Sequence, residues 1–129
     1  MKIKNSQVVT FLNGVADIQS KMLPTKVGYA IARNIALLES VAKAYEEERT
    51  KIIDKYAKKG EDGRYIVVGN TYDIQDMAGF GADMDELLGI ENEVAIHTVS
   101  LSELEKCDLE QFDALTVKDL KLLDFMTVD

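Results

Sequence analysis

The sequence contains no tryptophan, one proline (Pro24), one cysteine (Cys107) and one histidine (His97). A single cysteine excludes an intramolecular disulfide and any zinc site built from several thiolates. A single histidine excludes HExxH-type metal chemistry and leaves a conventional catalytic triad short of candidates. No stretch approaches the run of about 18 apolar residues that a membrane span requires. The opening Met1-Lys2-Ile3-Lys4-Asn5 carries charge with no apolar segment behind it, so no secretory leader is expected. Phosphate-binding signatures are also missing. There is no GxxxxGK[ST], and Gly79-Phe80-Gly81-Ala82-Asp83 lacks the third glycine and the preceding strand of a dinucleotide fingerprint.

What is present fits a folded chain. At 129 residues, 47% hydrophobic and 29% charged, it is too apolar for wholesale disorder, and its length predicts one domain over 1–129. The net charge of −8 hides an asymmetry. Residues 1–60 hold eleven Lys/Arg against six Asp/Glu, a balance of +5, whereas residues 61–129 hold four against seventeen, a balance of −13. The simplest expectation is a basic helical part packed beside an acidic α+β part, their charges offsetting locally. The acidic half repels phosphate, so nucleic acid is not an expected partner.

The hydrophobic spacing predicts mostly helix. Lys2-Ile3-Lys4 reads as an edge strand. Asn5 or Ser6 then caps a helix running to about Lys21, with Val8, Phe11, Leu12, Val15 and Ile18 on one face. Met22-Leu23-Pro24-Thr25 makes a corner, because proline is tolerated in a first turn but not in a helix interior. From Thr25 to about Lys58, Val27, Ile31, Ile35, Leu38, Val41, Tyr45, Ile52 and Tyr56 recur mostly at spacings of three or four. Such a helix would be roughly 50 Å long. A globule of this size has a radius of gyration near 14 Å, by general scaling. Either the helix breaks at Glu46-Glu47-Glu48, or its far half packs on something outside its own domain. The second alternative predicts a homo-oligomer seam at Val41, Tyr45, Ile52 and Tyr56.

After Gly60 the period changes. Arg64–Val68 is expected as a strand. Thr71–Leu88 reads as two short helical pieces hinged at Gly79-Phe80-Gly81 and closed by Gly89, and Glu93–Val99 reads as a second strand. Ser100-Leu101-Ser102-Glu103 and Thr116-Val117-Lys118-Asp119 look like capping boxes opening short C-terminal helices. Leu115, Leu120, Leu123 and Met126 supply the last apolar face. The predicted class is α+β, mostly α: a helical hairpin with one long helix, then a small two- to three-stranded sheet and short C-terminal helices.

Residues that could carry chemistry are few. Asp73, Asp76, Asp83, Asp85 and Glu86 offer oxygen ligands but not calcium-loop spacing, and read as a solvated acidic face. His97 and Cys107 would make a base and a thiol only if the fold joined them. No catalytic, metal or cofactor site is therefore assigned.

The order of parts resembles a known family. The opening Met1–Asn5 leads into Phe11-Leu12-Asn13. The long helix ends in Lys51-Ile52-Ile53-Asp54-Lys55-Tyr56-Ala57 before a Glu61-Asp62-Gly63 turn, and the close is Leu115–Leu120 with Leu123-Asp124-Phe125-Met126. These segments resemble small uncharacterised proteins of tailed phages and prophages of Gram-positive bacteria. The resemblance departs where that family usually has an arginine-bearing first turn, for which Lys21, Lys26 and Arg33 are the only counterparts. It implies a setting, the cytoplasm of a bacterial host or the virion, and no activity. The leading expectation is a non-enzymatic phage interaction protein, homo-oligomeric or bound to a phage or host protein, with no membrane and no cofactor. The alternatives are an acidic anti-defence protein on a basic host surface, and a small-ligand binder between the Gly79–Gly81 hinge and His97.

Overall fold

A computed structural model describes all residues from Met1 to Asp129. The chain is α+β and mostly helical, with three separate two-stranded sheets. Strand β1 (Lys2–Lys4) leads directly into α1 (Asn5–Gly14), and a short α2 (Ala16–Gln19) precedes the corner at Pro24. The first helix is capped one residue earlier than its sequence suggests. The Lys4 backbone N–H donates to the Gln7 side chain at 2.9 Å, while Asn5 lies inside the helix.

Helix α3 (Thr25–Tyr56) runs unbroken for 32 residues, about 48 Å at 1.5 Å per residue. The charged run does not interrupt it, because the charges serve the helix. Arg49 pairs with Glu46 at 3.7 Å and Lys51 with Glu48 at 2.9 Å, each an i,i+3 pair of the kind that helps a helix by tenths of a kcal/mol.

Three expectations are corrected in the second half. Arg64–Val68 narrows to β2 (Val67–Val68), which pairs with β3 (Thr71–Tyr72), a strand the helical spacing had hidden. The two hinged pieces are one helix, α4 (Met77–Gly89), passing straight through Gly79 and Gly81. The strand expected over Glu93–Val99 splits into β4 (Glu91–Glu93) and β5 (Val99–Ser100), with irregular chain between them. The split has a physical cause. The side chain of Asn34 takes the place of a neighbouring strand, accepting from the His97 N–H at 2.8 Å and donating to the His97 carbonyl at 2.8 Å.

Strand β4 pairs antiparallel with β1 in a register that sets Lys2 opposite Glu93 and Lys4 opposite Glu91. Opposite charges facing across strands stabilise the pair. The C-terminal part holds α5 (Leu101–Glu105), α6 (Val117–Leu123) and β6 (Thr127–Val128), the last lying parallel to β5. Thr116 with Asp119 forms the full capping box that the spacing predicts, whereas at Ser100 only half of the predicted box is made, the Ser100 hydroxyl accepting from the Glu103 N–H. Leu123 and Met126 are buried, but Leu120 is exposed and drops out of the predicted face.

One core joins the two halves. Ile3, Phe11, Ile18, Val27 and Leu38 from the basic part pack with Val94, Val99, Leu104, Leu123 and Met126 from the acidic part. Ion pairs also link them, at Lys21–Asp119, Lys26–Glu103, Lys55–Asp83 and Lys58–Asp73. The charge asymmetry is therefore partly consumed within the chain.

Lys21–Asp119 is the most enclosed of these pairs, at 3.1 Å. Burial pushes the Asp119 carboxyl up, but the Thr116 N–H and the Lys21 ammonium outweigh burial and hold it below the usual aspartate range. A depressed folded-state pKa contributes stability above the unfolded value and loses it as pH falls through the folded one. Wild-type stability should therefore fall as pH drops below about 4. An Asp119→Asn variant should be less stable at neutral pH and show a shallower acid limb in urea titrations. Parallel acid limbs in the two proteins would remove Asp119 from the account.

Candidate interaction surface

The far half of α3 is clad by its own chain. Tyr56 meets the Phe80 ring edge-on at 6.0 Å and donates its hydroxyl to the Asp83 carboxylate at 2.8 Å, and Lys55 approaches the same carboxylate at 3.4 Å. The Tyr56 hydrogen bond, aided by Lys55, holds Asp83 below the usual aspartate range. Asp76 caps α4 by accepting from the Gly79 N–H at 2.9 Å.

Gly79 is glycine because α4 comes close to α3 there. A Cβ at this position would collide with the Asp76 carboxylate and reach 3.0 Å from the Tyr56 ring. At Gly81 a Cβ would meet nothing within 4 Å. Gly81→Ala should stabilise the chain by up to about 1 kcal/mol through helix propensity. Gly79→Ala should instead lose about 1–2 kcal/mol, as the lost cap and overpacking exceed that gain. Equal effects of the two in thermal melts would show that α4 does not bear on α3 as described.

Beyond α3 the chain folds into a two-stranded ribbon. Lys58 N–H donates to the Asp73 carbonyl, Ile66 N–H to the Lys58 carbonyl and Asp73 N–H to the Ile66 carbonyl, all between 2.8 and 2.9 Å. Gly63 and Gly69 take positive φ, +77° and +65°, at the two turns. At its base the Tyr65 hydroxyl donates to the Asp54 carboxylate, which Lys59 also approaches at 3.3 Å. The Tyr65 hydrogen bond, with Lys59, holds Asp54 below the usual aspartate range. Tyr65 also packs edge-on against Tyr72 at 5.0 Å.

The ribbon and the start of α4 bound an open groove of about 580 Å³, lined by Arg49, Val67, Tyr72, Ile74, Met77 and Phe80 among others. Its margin is unusually apolar for a surface. Val67 is 56% exposed, Val68 64% and Met77 61%, with Ile66 and Tyr72 exposed beside them. Val67, Tyr72 and Met77 share the groove side and form the kind of exposed apolar set that marks an interaction site, while Ile66 and Val68 are exposed on the ribbon outside the groove.

The seam predicted from helix spacing is largely occupied within the chain. Val41 is half-buried against the core, and Tyr45 is 6% exposed. Burial raises the Tyr45 hydroxyl above the ordinary tyrosine range. Ile52 is half-buried, and Tyr56 is committed to Phe80 and Asp83. The expectation that these four are buried only in an assembly is corrected for Tyr45. The deeply buried neighbour is Ile53, which the spacing passed over. The long helix does not break at Glu46-Glu47-Glu48, and part of its far half is covered by the chain's own α4. The exposed apolar set lies on the ribbon and α4, and Arg64–Val68 was its only visible sign in the sequence.

His97 and the Gly79–Gly81 segment do not meet. His97 stacks edge-on against Tyr29 at 6.1 Å, in a cavity of about 370 Å³ with Lys26, Ser100 and Glu103. Gly79 lies against Tyr56. Tyr29 and Tyr56 are about 40 Å apart along one helix, so the ligand site expected between the two segments is not formed. Cys107 is buried in a 3-10 turn outside the His97 cavity, and burial pushes its thiol up, away from a reactive thiolate. The acidic residues are dispersed: Asp73 pairs with Lys58, Asp76 caps α4, Asp83 holds Tyr56, and Asp85 and Glu86 face solvent. No three His, Cys, Asp or Glu side chains gather as a metal site. No helix is long and apolar enough to cross a membrane.

No protein-family model, no curated protein and no solved structure matches the chain.

Proposed function

We propose that this chain is a non-enzymatic interaction protein, of phage or prophage setting, that assembles through the ribbon and α4 at the far end of its long helix. The observation that carries this reading is the exposed apolar set Val67, Tyr72 and Met77 at the groove, with Ile66 and Val68 exposed on the same ribbon. The body of the protein serves as a rigid support, with one core holding α3 and the ribbon carried at its far end. The phage setting rests on the sequence resemblance and places the chain in the bacterial cytoplasm or in the virion. Mass spectrometry of purified particles separates those two: stoichiometric presence makes it a virion component, and absence keeps it in the cell. The assembly reading is tested by sedimentation and by capture from phage-infected cells, comparing wild type with a Val67→Glu/Val68→Glu variant. Loss of every association in the variant supports the reading, and associations that survive it oppose the reading.

A second reading, an acidic protein that occupies a basic host surface, is favoured by the exposed carboxylates of Asp85, Glu86, Glu105 and Glu110, none of which has an ion-pair partner. Such binding weakens steeply with salt. Capture that is insensitive to ionic strength removes it.

A further inference from the structure

We propose that the cavity around His97 is a binding site for a small oxyanion, the carboxylate or phosphate group of a small molecule. Tyr29, which lines the cavity, lies about 40 Å along α3 from Tyr56, so the site is independent of the assembly reading.

The first observation is how His97 is held. Asn34 is fully buried in mid-helix and clamps both backbone groups of His97, accepting from its N–H and donating to its carbonyl, each at 2.8 Å. The clamp interrupts the strand that the alternation over Glu93–Val99 would otherwise form, and it leaves the imidazole at the cavity wall. Spending a buried amide and breaking a local pattern to fix one side chain is how a fold preorganises a binding group.

The second observation is which polar groups around the cavity are already used. The cavity encloses about 370 Å³, room for a small ligand. Glu103 is the only acid lining it, and its two oxygens take the Lys106 ammonium at 3.3 and 3.2 Å. The Ser100 hydroxyl accepts from the Glu103 N–H and pairs with Ser102. What remains is a set of donors. Lys26 comes no closer to Glu103 than 3.9 Å, too far for a hydrogen bond, and its side chain is 80% exposed. The Tyr29 hydroxyl, the Thr98 hydroxyl and the His97 ring have no hydrogen-bond partner in the chain.

A free ammonium beside three groups able to donate matches an oxyanion, whose oxygens accept. A cationic ligand would meet the Lys26 ammonium with no unspent carboxylate to offset it. Tyr29 packs edge-on against His97, ring centroids 6.1 Å apart, and gives the site an aromatic wall for the ligand's apolar body. The net charge of −8 works against any anion at long range, so binding rests on these contacts and is expected at millimolar concentration.

The test uses His97 as its own reporter. It is the only histidine, so its ring protons are identified by proton NMR without further assignment. The full chain is titrated at fixed pH and ionic strength with sodium acetate, with inorganic phosphate and, as reference, with sodium chloride. Acetate or phosphate should move the His97 ring resonances along a saturating curve, and chloride should not. Saturation by acetate alone makes the ligand a carboxylate, saturation by phosphate alone makes it a phosphate ester, and saturation by both supports the shared chemistry. Lys26→Ala should weaken binding by about tenfold or more, and Tyr29→Phe by about threefold. Lys43→Ala, at an exposed position about 25 Å further along α3, should leave it unchanged. Positions 26 and 29 are exposed, so both variants should keep wild-type melts by circular dichroism.

Equal behaviour of all three salts overturns the proposal. So does a saturating shift that survives both Lys26→Ala and Tyr29→Phe unchanged, because the anion then binds elsewhere.

Discussion

Replacing Asn34 with leucine should cost about 2–5 kcal/mol and lower the melting temperature by about 10–20 °C. Asn34 is fully buried in the middle of a helix, a poor place for asparagine on propensity alone. Its amide is held there by three contacts: the His97 N–H, the His97 carbonyl and the Met126 sulfur, at 2.8, 2.8 and 3.4 Å. Leucine fills the space and removes both partners of the His97 backbone. Each orphaned buried group then costs about 1–3 kcal/mol, which is more than the hydrogen bonds contribute when formed. Asn34→Ala should lose less, since the vacated space admits a water that can bond the same groups. Urea denaturation of the three proteins checks the order wild type, Ala, Leu. A leucine variant as stable as wild type would falsify the claim that Asn34 substitutes for a strand partner.

That prediction marks where the sequence was silent. The apolar periods of α1 and α3 were plain, because Val8, Phe11, Ile18, Val27, Ile31 and Leu38 keep one face over many turns and that face is the core. Both C-terminal caps were legible because capping is a local interaction over three residues. The strand expected across Glu93–Val99 failed for the opposite reason. Its alternation is genuine, but strand pairing needs a neighbour, and at His97 the neighbour is a side chain 63 positions away in sequence. The Gly79–Gly81 hinge failed similarly. Glycine spacing suggests a break, yet Gly79 is there to let Asp76 cap α4 and Tyr56 approach it. Of the candidate surface, only the apolar run at Tyr65–Val68 was visible. That Met77 and Phe80 join it depends on α4 docking against the far end of α3, which no local pattern encodes.

This docking also changes what the long helix means. A projecting helix of about 48 Å first suggested a seam of helix against helix. The far half instead buries Tyr45 and Ile53 within the chain and receives α4 at Tyr56, which meets Phe80.

Two adjacent isoleucines separate the two pictures. Ile53 is 5% exposed, whereas Ile52 is half-buried at the edge of the covered face. A helix-to-helix seam at Ile52 predicts that Ile52→Glu splits an oligomer and that Ile53→Glu does little. The present packing predicts a different pair of results. A carboxylate forced into the Ile53 site loses roughly 2–3 kcal/mol of apolar burial and must in addition be desolvated or protonated. Ile53→Glu should therefore destabilise the chain by more than about 4 kcal/mol, enough to unfold a domain of ordinary stability. Ile52→Glu can turn its carboxylate to water and should lose about 1–2 kcal/mol while keeping its fold and its state of association. Circular dichroism melts and sedimentation on both variants provide the measurement. A folded Ile53→Glu protein beside a dissociated Ile52→Glu protein would restore the seam along α3 and remove the ribbon and its groove from the assembly.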